Sequence, residues 1–198
     1  MGQKLFLKGE RCFSQKCAMI KRAYAPGPQK KRRGGSPSAF KKSLEEKQTL
    51  KKWYGLSEKQ FKRYAEESLK KMGKVENVAE EFIKKLEKRL DNVIFRLGMA
   101  KSRAQARQMV SHGYFLINGK PVNIPSYAIK KGDIISIKEH KKQKGVFKEL
   151  PTQLKRYEAP IWLDLNKEKL EAKAVGEPNL EEVNAPAEIS SIFEFYSR

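Results

Sequence analysis

Cysteine and histidine are scarce in this chain, two of each in 198 residues, and neither is spaced to build a metal or catalytic centre. Cys12 and Cys17, in CFSQKC, supply two thiolates where a closed tetrahedral zinc site needs four ligands, and His112 and His140 lie far along the chain. No zinc and no other cofactor is expected, with Cys12 and Cys17 the only weak candidates. A Gly-rich phosphate loop, a His-Glu-x-x-His pair and a Ser or Cys beside a positioned base are all lacking. No catalytic residue, no small-molecule substrate and no enzyme are therefore expected. No apolar run approaches the ~20 residues that span a bilayer, and no signal-peptide pattern opens the chain, so a membrane role is not expected either. Two cysteines in a lysine-rich chain suit a reducing, cytoplasmic compartment better than a disulfide framework.

Acid is also in short supply. Forty-three Lys and Arg stand against 23 Asp and Glu, a net charge of +20, and such a field attracts any polyanion and repels itself without one. The excess is uneven. Residues 1–52 carry fifteen cations and three acids, whereas residues 158–198 carry four cations and nine acids. Between Ala23 and Ala39 the chain reads AYAPGPQKKRRGGSPSA, with prolines and glycines on both sides of Lys30, Lys31, Arg32 and Arg33. It cannot build a core and reads as a basic, largely irregular N-terminal arm, residues 1–42, that orders only where its charges meet phosphate.

The densest information lies between Arg89 and Ile137. Leu90, Val93, Ile94 and Leu97 repeat at helical spacing and stop near Gly98. Ser102 and Gln105 form a capping box for a second helix, Arg103 to Ser111, which Gly113 ends. A hairpin follows: Asn118-Gly119 supplies the two positive φ angles of a type I′ turn between Tyr114–Ile117 and Val122. Gly132-Asp133 then turns the chain into a third strand, Ile134 to Ile137. Two such helices bury their stripes on the small sheet, leaving Lys101, Arg103 and Arg107 outside. A charge run alone more often marks a solvated face than a site. Here, however, ten cations against three acids fall between Arg89 and Lys141, and several gather where a helix start offers free amides and a positive dipole end. Nucleic acid is the expected counterpart.

Flanking helices frame this module. Ser57 caps a helix running to Met72, with Gln60 as capping-box partner, Leu56 and Phe61 as a staple, and Phe61, Tyr64, Ala65, Leu69 and Met72 on one face. Asn77 caps another from Val78 through Phe82 and Leu86. Trp162, Leu163 and Leu165 make a short buried segment, and Ile189, Ile192, Phe193, Phe195 and Tyr196 an apolar terminal helix or turn that matches the exposed stripe of helix 78–88.

RLDNVIFRLGMAKSRAQARQMVSHG with the INGKPVNIPSY hairpin resembles the RNA-binding domain of the bacterial small-subunit ribosomal protein S4 family. LKGERCFSQKC, EKQTLKKWYGLSEKQFKRYAEE, APIWLDLN and the closing IFEFYSR are similar to that family's own segments, so nearly the whole chain is covered. The RNA-binding domain alone also occurs in certain tRNA synthetases, pseudouridine synthases and heat-shock proteins; the flanking segments single out the ribosomal family. Some of its members carry an earlier Cys-x-x-Cys in a longer N-terminus, and this chain begins at Met1 just where that pair would have ended.

The resemblance implies an α+β protein: the arm, a discontinuous helical domain (43–88 plus 153–198) whose C-terminus packs on the helices before the RNA-binding domain, and that domain inserted at 89–152, two helices on a short antiparallel sheet. It implies a structural constituent of the small ribosomal subunit that binds ribosomal RNA in the 5′ domain, helps nucleate assembly and supports translational accuracy. The implied partners are neighbouring small-subunit proteins and messenger RNA where it enters the subunit. Arg89, Arg96, Lys101, Ser102, Arg103, Arg107, His112 and Lys120 of the module, the arm's Lys30, Lys31, Arg32 and Arg33, and Lys51, Lys52, Lys62 and Arg63 of the helical domain are expected to face RNA on a shared cationic surface. The alternatives, an RNA-modifying enzyme or a stalled-ribosome rescue factor using the same module, leave the arm and IFEFYSR unexplained.

Overall fold

The computed structural model describes residues 3–22, 24, 27, 38–155 and 157–197. Short helix α1 (Ala18–Lys21) is followed by α2 (Ala39–Trp53), α3 (Glu58–Leu69) and α4 (Val78–Glu87). The module opens with α5 (Leu90–Arg96) and α6 (Arg103–Ser111), then strands β1 (Phe115–Ile117), β2 (Lys120–Pro121) and β3 (Ile134–Ile137). Short helices α7 (Glu139–Lys142), α8 (Gly145–Lys148) and α9 (Leu150–Lys155) lead to β4 (Leu163–Asn166) and β5 (Glu171–Ala174), and α10 (Leu180–Val183) and α11 (Ile189–Ser197) close the chain. Two compact units result, Met1–Ala79 with Ala185–Arg198, and Glu80–Asn184.

In the first unit the apolar C-terminal helix α11 packs on α2 and α3. Ile192, Leu50, Phe61 and Ala65 are fully buried, and Phe195 meets Phe40 with ring centroids 5.6 Å apart. Helix α2 starts at Ala39, three residues before the arm's expected end at 42, because Ser38 caps it by accepting from the Lys41 amide at 3.3 Å. The segment before it is not wholly irregular: Gly9–Cys12 forms a 3-10 turn and Cys17, capping α1, is buried. Lys30, Lys31, Arg32 and Arg33 lie outside the described residues. Helix α3 stops at Leu69 rather than Met72; the amides of Lys71 and Met72 turn back to Ser68 and Leu69, which leaves Met72 exposed and out of the core.

In the second unit the Asn118-Gly119 turn has both φ positive, 50° and 77°, as a two-residue hairpin requires. Its register pairs Ile117 with Lys120, and β3 runs along the other side of β1, Phe115 opposite Ile137 and Ile117 opposite Ile135. These four apolar residues fall on one face at period two and meet Val93, Ile94, Leu97, Ala106, Met109 and Val110 of α5 and α6 in a single core.

The sheet does not end with three strands. Its order is β2-β1-β3-β5-β4, all antiparallel, with Ile135 opposite Ala172 and Leu163 opposite Ala174. The expected boundary at 152, and with it the assignment of 153–184 to the helical domain, is corrected: β3 has a free edge that must be paired, and β5 pairs it. Residues Trp162, Leu163, Ala172 and Ala174 belong to the module's core. The opposite boundary moves as well, since the division falls within α4, whose stripe Phe82, Ile83 and Leu86 is buried rather than exposed. Among the described residues no helix is long and apolar enough to cross a membrane.

Candidate nucleic-acid interface

One of the arginines expected to face RNA is interior, and another is half-buried. Arg89 sits at the N-cap of α5, where the segment after the hairpin is laced onto the helix start: the amides of Leu90 and Asp91 donate to Tyr127 O and Pro125 O. Its side chain, 2% exposed, donates from Nε and Nη2 to the two Asp91 carboxylate oxygens at 3.1 and 2.6 Å. Arg96 donates to both Glu87 oxygens, at 2.9 and 3.0 Å, and Glu87 is completely buried. Arg89 is corrected from an RNA contact to an internal ion pair, whereas Arg96, 18% exposed, is half-buried and satisfies a buried carboxylate.

The same carboxylate organises the surface. Glu87 accepts from Asn92 Nδ2 at 2.7 Å, Asn92 Oδ1 accepts from Arg103 Nε at 2.8 Å, and the Arg103 guanidinium lies over the Phe95 ring at 4.5 Å. Arg103 and Arg107 are thus half-buried, not wholly outside, while Lys101 is exposed and 3.5 Å from Glu149. Ser102 accepts from the Gln105 amide at 3.2 Å as foreseen. The Gln105 side chain does not close the box on Ser102, however; it accepts from the Lys101 amide at 2.8 Å. This fixes the turn that carries Lys101 and Arg103.

Behind this turn Gly98 has φ +71°, and a Cβ there would come within 2.9 Å of the Tyr157 ring. Tyr157 donates to Arg96 O at 2.9 Å; burial pushes its phenol pKa up, against the opposing charges of Arg96 and Arg103.

Past the hairpin tip Lys120 is exposed, and His112, also exposed, caps the end of α6 with its ring stacked 6.4 Å from Tyr114. Around Tyr114 the structure gathers lysines absent from the expected site: Lys141 Nζ is 5.2 Å and Lys144 Nζ 5.5 Å from the ring centroid, and Lys138 follows β3 beside it. Their three-residue spacing, 138, 141 and 144, was a legible signal once α7 was known to turn there.

In the first unit Lys51 is half-buried and ion-paired. It and the buried Lys47 each lie 2.7 Å from a Glu58 oxygen, and Tyr196 of α11 donates to the same carboxylate at 2.9 Å. Partial burial raises the Glu58 pKa, but the hydrogen bonds from Lys47, Lys51 and Tyr196 outweigh it and hold the group at about 2. Burial and the bond to Glu58 push Tyr196 upward. Lys52 is exposed; Lys62 and Arg63 are 57% and 61% exposed, in loose i,i+4 pairs with Glu66 and Glu67 at 3.6 and 3.7 Å. Pairs of this kind yield readily to phosphate.

Cys12 accepts from the Lys8 amide at 3.3 Å, and Cys17 is buried with its pKa lowered, chiefly by a backbone hydrogen bond from Met19. Among the described residues no group of three His, Cys, Asp or Glu is placed to hold a metal, and Cys12 and Cys17 supply two thiolates where a closed tetrahedral zinc site takes four ligands.

Comparison with known proteins covers both units. A family described as the S4 domain matches residues 88–135, and one described as the ribosomal protein S4/S9 N-terminal domain matches residues 1–90. Small ribosomal subunit protein uS4 of Halothermothrix orenii is 46% identical over 197 residues, covering 100% of this chain and 93% of its own. Proteins of the same name from Thermodesulfovibrio yellowstonii and Kosmotoga olearia are each 45% identical, covering 98% and 100% of this chain and 92% and 93% of their own.

Proposed function

This chain belongs to the ribosomal protein S4 family, and from that premise we propose that it is a structural, non-enzymatic constituent of the small ribosomal subunit that binds ribosomal RNA directly. The observation that carries the reading is similarity along the whole chain to small-subunit proteins, helical unit and module together. An RNA-modifying enzyme or a rescue factor would share the module alone.

The working surface is cationic and partly pre-oriented. Arg103 is held by Asn92 and laid over Phe95 before RNA arrives, so little of its rotamer freedom remains to be lost on contact. Lys101, Arg107 and Lys120 on the module supply further positive charge, and the helical unit, taken by itself, presents Lys52, Lys62 and Arg63. Contacts of this type fix RNA helices by phosphate position and shape, with little reading of bases. Within the subunit, the reading places the RNA target in the 5′ domain, with a part in early assembly and decoding accuracy, and neighbours that include other small-subunit proteins and messenger RNA where it enters. The protein then resides in the cytoplasm, bound to ribosomes.

Sucrose-gradient sedimentation in high salt tests the proposal: the protein is expected to stay with small subunits. Sedimentation with large subunits would favour a rescue factor, and free protein at the top of the gradient would remove the structural role.

A further inference from the structure

Three lysines of the second unit crowd one aromatic ring without a counter-charge. The register of β1 and β3 sets Lys138 against Tyr114, with the Lys138 amide donating to Tyr114 O at 2.9 Å, and brings the Lys138 ammonium over the bare Cα of Gly113, 3.5 Å from where a Cβ would stand. Helix α7 and the start of α8 then wrap round the ring, so that Lys141 and Lys144 reach it from 5.2 and 5.5 Å. Buried Phe147, 5.8 Å from Tyr114, anchors the ring from α8. The one acid of α7, Glu139, is taken by Lys142 at 2.7 Å, and among the described residues no carboxylate pairs with Lys138, Lys141 or Lys144.

Holding these ammonium groups together costs free energy in the protein alone. The repulsion is visible at Lys141, whose pKa is lowered first by the charge of Lys144, then by burial and by Lys138. A chain already at +20 gains nothing from that arrangement unless an anion completes it. The Tyr114 hydroxyl has no hydrogen-bond partner among the described residues and is available to donate. Ammonium groups interleaved with the Tyr114 and His112 rings suit a nucleic-acid strand, whose phosphates and bases offer both kinds of partner, better than an acidic peptide.

We infer that Lys138, Lys141 and Lys144, gathered around Tyr114, form a phosphate-binding subsite that takes neighbouring phosphodiester groups of the ribosomal RNA. The subsite rests on the ribosomal-RNA reading given above and adds to it a second contact region, built from the far end of β3 and α7 rather than from the start of α6.

The test uses the full-length chain and protein-free small-subunit ribosomal RNA over a range of potassium chloride concentrations. The double substitution Lys141→Gln/Lys144→Gln is expected to weaken binding roughly tenfold at moderate salt and to flatten the plot of log affinity against log salt by ~1.5 units, at ~0.7–0.9 for each phosphate no longer neutralised. Lys141→Arg/Lys144→Arg should restore the slope, and Lys142→Gln, which removes the ion-paired neighbour, should change it little. Circular dichroism confirms that each variant is folded. RNA alone should also shield Lys141 and Lys144 from acetylation. Unaltered affinity and slope in the double variant, with normal wild-type binding, would overturn the subsite and leave the family reading standing; wild-type protein that ignores the RNA would sink both. Shielding seen in the assembled subunit but not with RNA alone would assign the cluster to an acidic protein neighbour and overturn the phosphate assignment.

Discussion

Arg89→Ala separates two accounts of one residue. If Arg89 touched RNA, the change would weaken binding and flatten its salt dependence by about one unit while sparing the fold. The structure instead puts the side chain at 2% exposure, doubly bonded to an Asp91 that is itself 6% exposed. Removing one partner of a buried pair leaves the other charge stranded, at a cost of about 3–5 kcal/mol. Asp91 keeps one hydrogen bond, from the Asn92 amide at 2.9 Å, so the lower end, ~3 kcal/mol, is expected. With a urea slope of ~2 kcal/mol/M the unfolding midpoint should fall by roughly 1.5 M. Asp91→Leu alone should destabilise comparably, and Arg89→Met/Asp91→Leu together should recover much of the loss, because the pair's desolvation disappears with both charges. The assay is urea unfolding followed by circular dichroism, beside RNA binding by the folded protein. A midpoint shift below ~0.3 M combined with a shallower salt slope would refute the internal assignment and return Arg89 to the interface.

Gly98→Ala should destabilise the module by about 2–3 kcal/mol in urea unfolding, since a side chain at φ +71° is strained and its Cβ strikes a Tyr157 ring tethered to Arg96 O; a loss under ~0.5 kcal/mol would mean the ring moves freely. Glu58 has its pKa depressed from 4.5 to about 2, so its stabilising contribution is complete above the ordinary value and drains away as pH falls toward 2. Urea midpoints between about pH 6 and 2 should therefore drop more steeply in the wild type than in Glu58→Gln, and parallel curves would contradict the assignment; the side chain is 46% exposed, so the effect is modest. Purified protein should carry no stoichiometric zinc after dialysis, and one zinc per chain by elemental analysis, lost on Cys17→Ser, would show that further ligands complete the Cys12–Cys17 pair. Deleting residues 1–36 should leave both units folded, whereas deletion through residue 40 should also cost stability, by removing the Ser38 cap and the Phe40 ring from α2.

The parts of the fold that were legible are those where local chemistry and tertiary need agree. Ser102 with Gln105, the Asn118-Gly119 turn and the alternation in β1 and β3 each specify a local geometry that the core then uses, and α6 and β3 lie where the pattern puts them. Strand β5 was illegible for the opposite reason. Its core-facing residues are Ala172 and Ala174, poor strand formers with no apolar alternation to notice, and the segment is a strand because the open edge of β3 and the sheet's turn chemistry require one there. The Asn166 side chain accepting from the Glu168 and Lys169 amides, and Leu170 at φ +55°, build that turn without an Asn-Gly signal.

For the interface, sequence could count cations but not assign their partners. Arg89 and Arg103 look alike in the chain, each near a helix start, yet one is buried because an aspartate two residues on shares its niche, and the other is half-buried because Asn92 and Phe95 hold it part-way. Lys51 and Lys52 are adjacent; one step of about 100° around α2 sends the first to Glu58 and the second to solvent. Whether a cation is available to RNA therefore depends on where the fold puts the acids. Twenty-three acids against 43 cations leave many positive charges over, and the structure uses several carboxylates, Glu58, Glu87 and Asp91, to pair with buried or half-buried lysines and arginines. The positive charge left around Tyr114 lies in a segment whose own acid is already engaged by Lys142, which is why composition pointed to a polyanion while the place of contact had to be read from the folded chain.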